Sequence, residues 1–281
     1  MTKKAVLTTG LLTVLIAISA FLFYNVEADG KLDKKKYVQS TTPTLFFHGY
    51  GSSANAERHM TNAAKKEGVT KTVIRANVDR NGAVTLRGDI PKDAINPIVE
   101  VNYEDNRNPI DVGRYAKAVV SNLQEKYGFT KMNMVGHSLG NMSILYYLLE
   151  HAQDENLPQL QKQVNIANFA AGLEAMGLSS DVKVDKTTGQ PNQVTQTFQR
   201  LLPLREVFPQ NQIDVLNIYG DYKNGSDGSV LNSSSRSLKY LVADNAKSYQ
   251  EKKITGKLAQ HSQLHENPEV DKLLIQFLWG K

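Results

Sequence analysis

Residues 131–150, KMNMVGHSLGNMSILYYLLE, constrain this chain more than any other stretch. A short apolar run (Met132, Met134, Val135) meets Gly136-His137-Ser138-Leu139-Gly140, and an apolar segment of helical period follows at once. The pattern predicts a strand, a tight turn and a helix, with Ser138 at the apex. A backbone bent this sharply is strained at its centre, and only small neighbours such as Gly136 and Gly140 fit around it. The helix points its N-terminus at the same spot, where negative charge is favoured. A serine hydroxyl is a weak nucleophile until a base removes its proton, so the pattern has chemical meaning only if that base lies elsewhere in the chain.

Strand and helix patterns alternate on both sides. Thr44 to Phe47 reads as a buried strand ending in His48-Gly49-Tyr50-Gly51-Ser52-Ser53, with a helix over 54–67. A strand running into a glycine-rich turn leaves backbone N–H groups free at its C-terminal end. In a serine hydrolase half of the oxyanion hole sits there, here the Tyr50 amide, and the Leu139 amide is the other half. His48, Gly49 and Gly51 would shape the first turn, and Gly136, His137 and Gly140 the second. Residues 72–78 form another strand, and 83–86 and 98–103 read as an added antiparallel pair. A helix over 110–127 is stopped by Gly128, and residues 163–169 are the next strand. Residues 172–210 break the alternation. They carry a weakly helical piece at 194–202 and are long enough for a lid, whose apolar underside would be Leu201, Leu202, Leu204, Val207 and Phe208, with disorder or plain surface padding as the alternative. A strand over 213–219 ends in a loop carrying Asp221 and Asp227. A helix over 235–243 and a strand over 249–254 follow, and the next loop holds His261 and His265. Asn267 caps a last helix with Pro268 at its first position and Leu273, Leu274, Phe277 and Leu278 towards the core.

Such alternation predicts an α/β fold: a doubly wound, mostly parallel sheet with helices on both faces, binding ligands at the C-terminal ends of its strands. Ser138, the Tyr50 and Leu139 amides, Asp221 or Asp227, and His261 or His265 all fall at that edge, in the order Ser, Asp, His. His48 and His137 do not follow the strands that supply acid and base, and are assigned structural roles. The chain resembles the α/β-hydrolase fold superfamily from Thr44 to Trp279. Through HGYGSS, GHSLGN, GSDGSV and HSQLHENPEV it is similar in particular to exported, lipase-like hydrolases of Gram-positive bacteria. The resemblance implies that the acid is Asp227, in the S-D-G-x-V turn, with Asp221 capping a turn. It implies that the base is His261, at the head of the H-S-x-L-x-x-x-P-x-V run, with His265 solvated or in support. Asn141 departs from the second glycine that many lipases carry.

The expected activity is carboxylic ester hydrolysis by Ser-His-Asp acyl transfer, on a small ester or lipid-like substrate. The same triad would serve amide or thioester cleavage, and fold alone admits a non-catalytic binding protein. No metal or other cofactor is called for, since no H-E-x-x-H or acidic-loop cluster is present. The net charge of +5 and pI of about 9.1 come from scattered lysines without a basic, aromatic-interleaved stripe, which argues against a nucleic-acid partner. The absence of cysteine excludes disulfides, a cysteine nucleophile and thiolate metal sites. Residues 5–24, about 20 without a charge, suffice to span a hydrocarbon core of about 30 Å. Their length favours a membrane anchor over a secretory signal, with the catalytic domain outside the cell. Val26-Glu27-Ala28 nevertheless offers small residues for cleavage near Ala28. Residues 1–28 are thus an anchor or signal, 29–42 a polar tether, and 43–281 the hydrolase domain. The oligomeric state is left open.

Overall fold

The computed structural model describes residues 31–108 and 111–281, so the expected anchor at 1–28 lies outside the described residues. Eight strands form one sheet in the order β3-β2-β4-β1-β5-β6-β7-β8, with only β3 antiparallel to its neighbour. The strands are β1 (Thr44–Phe47), β2 (Val73–Val78), β3 (Val84–Arg87), β4 (Ile98–Tyr103), β5 (Lys131–His137), β6 (Gln159–Ile166), β7 (Asp214–Asp221) and β8 (Ser248–Thr255). Helices on both faces cover the central strands, and β1 is buried throughout, as a near-continuous apolar run in a parallel sheet must be.

Two apolar layers flank the sheet. One lies under α1 (Arg58–Lys66) and α8 (Pro268–Trp279) and is built from Phe46, Met60, Ile98, Val135, Val164, Ile218, Leu274 and Trp279. The other lies under α2 (Asp111–Tyr127), α3 (Gly140–His151) and the connection after β6. Helices α2 and α3 approach so closely that a Cβ on Gly113 would lie 2.6 Å from that of Tyr146. Helix α8 starts where its sequence directs. The Asn267 side chain accepts from the Glu269 N–H at 2.8 Å, and Pro268 takes the first position, where no amide is needed. Its most buried side chains are Val270, Leu274, Ile275, Leu278 and Trp279, while Leu273 and Phe277 pack at the margin.

Strand β4 corrects the expectation of an antiparallel pair. It lies inside the sheet, parallel to β2 and β1 on either side, and only β3 adds an antiparallel edge. Glu100 makes β4 look half-exposed in sequence. In the fold Glu100 is buried, with one oxygen accepting from Arg75 at 2.8 Å and the other from the Thr61 hydroxyl at 2.8 Å. The helix expected at 54–67 begins as a 3-10 turn over Ala54–Glu57 before α1. Residues 235–243 divide between α6 (Asn232–Arg236) and α7 (Leu238–Val242). Within 172–210, α4 (Gln196–Leu201) and α5 (Leu204–Val207) bury Phe198, Leu201 and Leu204 in the core, with Phe208 just beyond, while Leu202 and Val207 are half-covered.

Candidate active site

Ser138 follows directly on β5 and has φ of 52°, in the left-handed region that a residue with a side chain seldom occupies. The surroundings show why the conformation holds. Ser138 N–H donates to the Ile166 carbonyl at the end of β6 (3.0 Å). A Cβ on Gly136 would lie 2.7 Å from the Gly140 carbonyl, and one on Gly140 only 2.0 Å from the Phe47 carbonyl. The two glycines thus let the turn fold onto itself and let α3 rest against β1. The Asn141 amide donates to the carbonyls of Ser138 (2.9 Å) and Ile166 (2.8 Å) and accepts from Asn165 (2.9 Å), which in turn accepts from Gln163 (2.8 Å). The residue that departs from the lipase-like glycine is therefore a buried brace joining the turn to β6.

Loops from the other half of the chain bring acid and imidazole to this serine. His261 Nε2 is 2.9 Å from Ser138 Oγ, and His261 Nδ1 is 2.8 Å from Asp227 Oδ2. Asp227 is buried, and its other oxygen accepts from the backbone N–H groups of Ser229 (2.8 Å) and Val230 (2.7 Å). With the carboxylate acting as acceptor, Nδ1 carries the imidazole proton and Nε2 turns a lone pair to the hydroxyl. The two loops are also tied through the backbone, His261 N–H donating to the Asp227 carbonyl at 2.9 Å. The Gln260 side chain caps the turn beginning at His261 by accepting from the amides of Ser262 and Gln263. Gly220 clears the way, since a Cβ there would lie 2.0 Å from the Ala259 carbonyl. Asp221 stays outside this line: it accepts from Gly225 N–H (3.2 Å) and pairs with Lys253 (3.2 Å). His265 stands edge-on to the His137 ring, with 4.8 Å between centroids, and does not bond Ser138.

The glycine turn after β1 faces the serine. A Cβ on Gly49 would lie 3.3 Å from the Ser138 Cβ. Buried His48 accepts from Tyr103 N–H at Nε2 (3.2 Å), which leaves Nδ1–H to donate to the Gly49 carbonyl (2.9 Å). Gly51 (φ 64°) donates to the Asn106 side chain at 2.9 Å, and that side chain donates back to Ser52 at 2.6 Å. Asn102 holds the Ala54 amide at 3.0 Å. Among the described residues neither the Tyr50 nor the Leu139 amide donates to a protein acceptor. His137 Nε2–H donates to the His261 carbonyl at 3.0 Å, supporting the histidine loop from beneath.

A strained serine after β5, a histidine loop after β8 and an acid loop after β7 on one mostly parallel sheet describe a known architecture. Residues 31–281 match the family model for the alpha/beta hydrolase of unknown function DUF915. The chain belongs to this α/β-hydrolase family. No curated protein matches it. Among solved structures it is similar to a gene product of Listeria innocua, at 27% identity and TM-score 0.75, covering 85% of this chain and 94% of that one. It is also similar in fold to a protein from Lactobacillus plantarum provisionally named a cell surface hydrolase, at 21% identity and TM-score 0.67, covering 84% and 91%.

Three imidazoles around the hydrolase's serine titrate low. Burial holds His137 well below its ordinary value, helped by the proximity of His261 and His265, and burial also lowers His265 and His48. His137 is thereby kept neutral, as a donor to the His261 carbonyl requires only one ring proton. Behind the glycine turn, Glu57 is fully buried with neither carboxylate oxygen bonded, and burial pushes it well above the carboxylate range. Among the described residues no cluster of three or more His, Asp or Glu side chains could hold a metal ion. A cleft of about 640 Å³ between α1 and α8 contains no member of the Ser138 constellation. A smaller one, about 310 Å³, runs along α3 from Met142 under α4. Asn106, Gln260 and Gly220 had no signal in the sequence, because each acts on a segment distant in the chain or across a turn, and Asn141 stood out only as a departure from glycine, without its bracing role.

Proposed function

We propose that this α/β-hydrolase is a serine hydrolase cleaving carboxylic esters by acyl transfer, exported and tethered to the membrane by residues 5–24. The observation that carries the chemistry is the unbroken line Ser138 Oγ, His261, Asp227, with bonds of 2.9 and 2.8 Å. His261 Nε2 takes the hydroxyl proton as Ser138 Oγ attacks the ester carbonyl. Asp227 holds the ring in the correct tautomer and stabilises its cation. The Tyr50 and Leu139 amides receive the oxyanion, with the N-terminus of α3 behind them. The imidazolium then protonates the leaving alcohol. Water, deprotonated by the same histidine, splits the acyl-serine, so that ester and water yield acid and alcohol with nothing else consumed.

The tether reading draws on the apolar run and on the exit point of the chain. Asp33 N–H donates to the Gly68 carbonyl and Asn96 N–H to Ser40, both at the edge where β2 and β4 begin. A chain anchored through residues before 31 would hold its serine on the edge facing away from the bilayer. Among the described residues no helix is long and apolar enough to cross a membrane.

Hydrolysis of 4-nitrophenyl esters of rising chain length by the full-length protein tests the chemistry. Ser138→Ala and His261→Gln should each lower kcat by about 10⁵-fold or more, as for residues acting as one unit. Retention of wild-type turnover in Ser138→Ala would remove the proposal.

A further inference from the structure

Lysines that look scattered along the sequence meet at one corner of the fold. Lys31, Lys34, Lys35 and Lys36 lead into the domain, where Asp33 N–H donates to the Gly68 carbonyl at 2.9 Å. That contact sets them beside Lys65 and Lys66 at the end of α1 and Lys71 just before β2. Lys281 joins them through its N–H, which donates to the Lys36 carbonyl (3.3 Å), and its ammonium, which donates to the Lys34 carbonyl (2.7 Å). All except Lys65 are exposed. Against these eight lysines stand two side-chain carboxylates, Asp33 and Glu67, the second paired with Lys36. The corner therefore carries a formal charge of +6, whereas the whole chain carries +5, so the charges elsewhere nearly cancel.

Position gives this charge a meaning. The corner lies at the edge where the strands begin, and the chain enters the fold there from the side of residues 5–24. Six residues separate that apolar run from Lys31, a reach of about 20 Å at full extension. A bilayer holding 5–24 keeps the corner near its headgroups, and lysines within about 10 Å of an anionic surface are drawn to it. The far corner of the same edge is opposite in sign. Asp154, Glu155 and Glu206 line a cleft of about 470 Å³ beside the start of β6, with no lysine or arginine among its lining residues. From β2 to β6 is four strand spacings, about 19 Å. An anionic surface attracts the first corner and repels the second, so the domain leans on its lysines.

We infer that this lysine corner is a docking surface for an anionic lipid bilayer, the membrane that residues 5–24 enter. The inference rests on the tether reading above. It also bears on the site. The seven residues of β5 rise about 20 Å from the docked edge to Ser138, so the serine takes its substrate from the solvent side rather than from the bilayer beneath it.

Val38→Cys, Gln159→Cys and Met176→Cys, each in the full-length protein, carry one dye apiece, because the chain has no cysteine. All three positions are exposed, and they report the lysine corner, the acidic corner and the catalytic edge. Flotation with neutral phosphatidylcholine vesicles tests the tether by itself, since retention through 5–24 survives salt. With about 30% phosphatidylglycerol added, at about 0.1 M salt, energy transfer from Val38→Cys to a headgroup acceptor should rise about twofold or more over neutral vesicles. Gln159→Cys should gain less and Met176→Cys least, and about 0.5 M salt should abolish the gain. Lys34→Gln/Lys35→Gln/Lys66→Gln should lose it. Lys183→Gln/Lys186→Gln/Lys223→Gln, which removes as much charge elsewhere on the surface, should keep it. Equal transfer from Val38→Cys on neutral and anionic vesicles, or equal loss in the two triple variants, overturns the inference even where flotation upholds the tether. If neutral vesicles do not retain the protein, the tether fails. Flotation with anionic vesicles alone, lost in the first triple variant and kept in the second, then upholds the docking surface, and its absence overturns that as well.

Discussion

Ser138 has its left-handed backbone because its carbonyl and that of Ile166 are both held by the Asn141 amide. Asn141→Ala removes that donor pair and leaves the buried Asn165 amide without its acceptor, at a cost of about 2 kcal/mol. Urea denaturation should show this loss as a lower midpoint with an unchanged slope. Asp227→Asn keeps the shape but presents an amide to His261 Nδ1, so it should cut kcat by about 10⁴-fold with an unfolding free energy unaltered to within about 1 kcal/mol. Glu57 gives a third, opposite prediction. Burial raises it, so the fold carries the neutral acid, and the unfolded chain releases that proton first as pH climbs above the ordinary carboxylate value. Stability contributed by Glu57 therefore falls as pH rises from 4.5 towards the folded value. Glu57→Gln should be more stable than wild type at pH 8 and lose that advantage near pH 5, read from paired denaturation curves. Ser138, Asp227 and His261 were legible as types in order along the chain. Asn141 and Glu57 were not, since the meaning of each lies in what is opposite it in space.

At the scale of elements, the strand–turn–helix around Ser138 is a set of close backbone approaches rather than a set of propensities. Gly140 brings α3 against β1, and an added methyl there would overlap the Phe47 carbonyl. Gly140→Ala should cost roughly 3 kcal/mol or more, because backbone cannot yield as a side chain can. Gly177→Ala, at φ of 88° but with open space around it, should cost about 1 kcal/mol from local strain alone. Comparing the two in thermal melts separates packing from conformation. The periods of α2, α3 and α8 and the buried run of β1 were readable because apolar spacing reports burial directly. The bounds of β4 were readable as well, but not its parallel place inside the sheet, because Glu100 imitates an exposed position while Arg75 and Thr61 bond it there. The helical piece at 172–210 was only faintly visible, since α4 and α5 are short and their burial depends on the helices they meet.

Taken as a whole, the molecule gathers its depressed histidines at one edge. His48, His137 and His265 all have folded values lowered by burial, so between those values and the ordinary imidazole value of 6.5 the unfolded chain binds more protons. Their contribution to stability is complete above pH 6.5 and is lost as pH falls through that window. In a Glu57→Gln background, which removes the opposing carboxyl, urea midpoints should therefore drop on going from pH 7.5 to 5.5, and a pH-independent midpoint there would contradict the neutral-histidine arrangement. The central claim is that Ser138 is activated by His261 and Asp227 through the bonds the fold provides. Its most direct test is intact-mass detection of covalent labelling by a fluorophosphonate. Wild type should take up one equivalent, with the adduct mapped to Ser138, while Ser138→Ala takes up none. Labelling that persists in Ser138→Ala, or its absence from correctly folded wild type, would contradict the account.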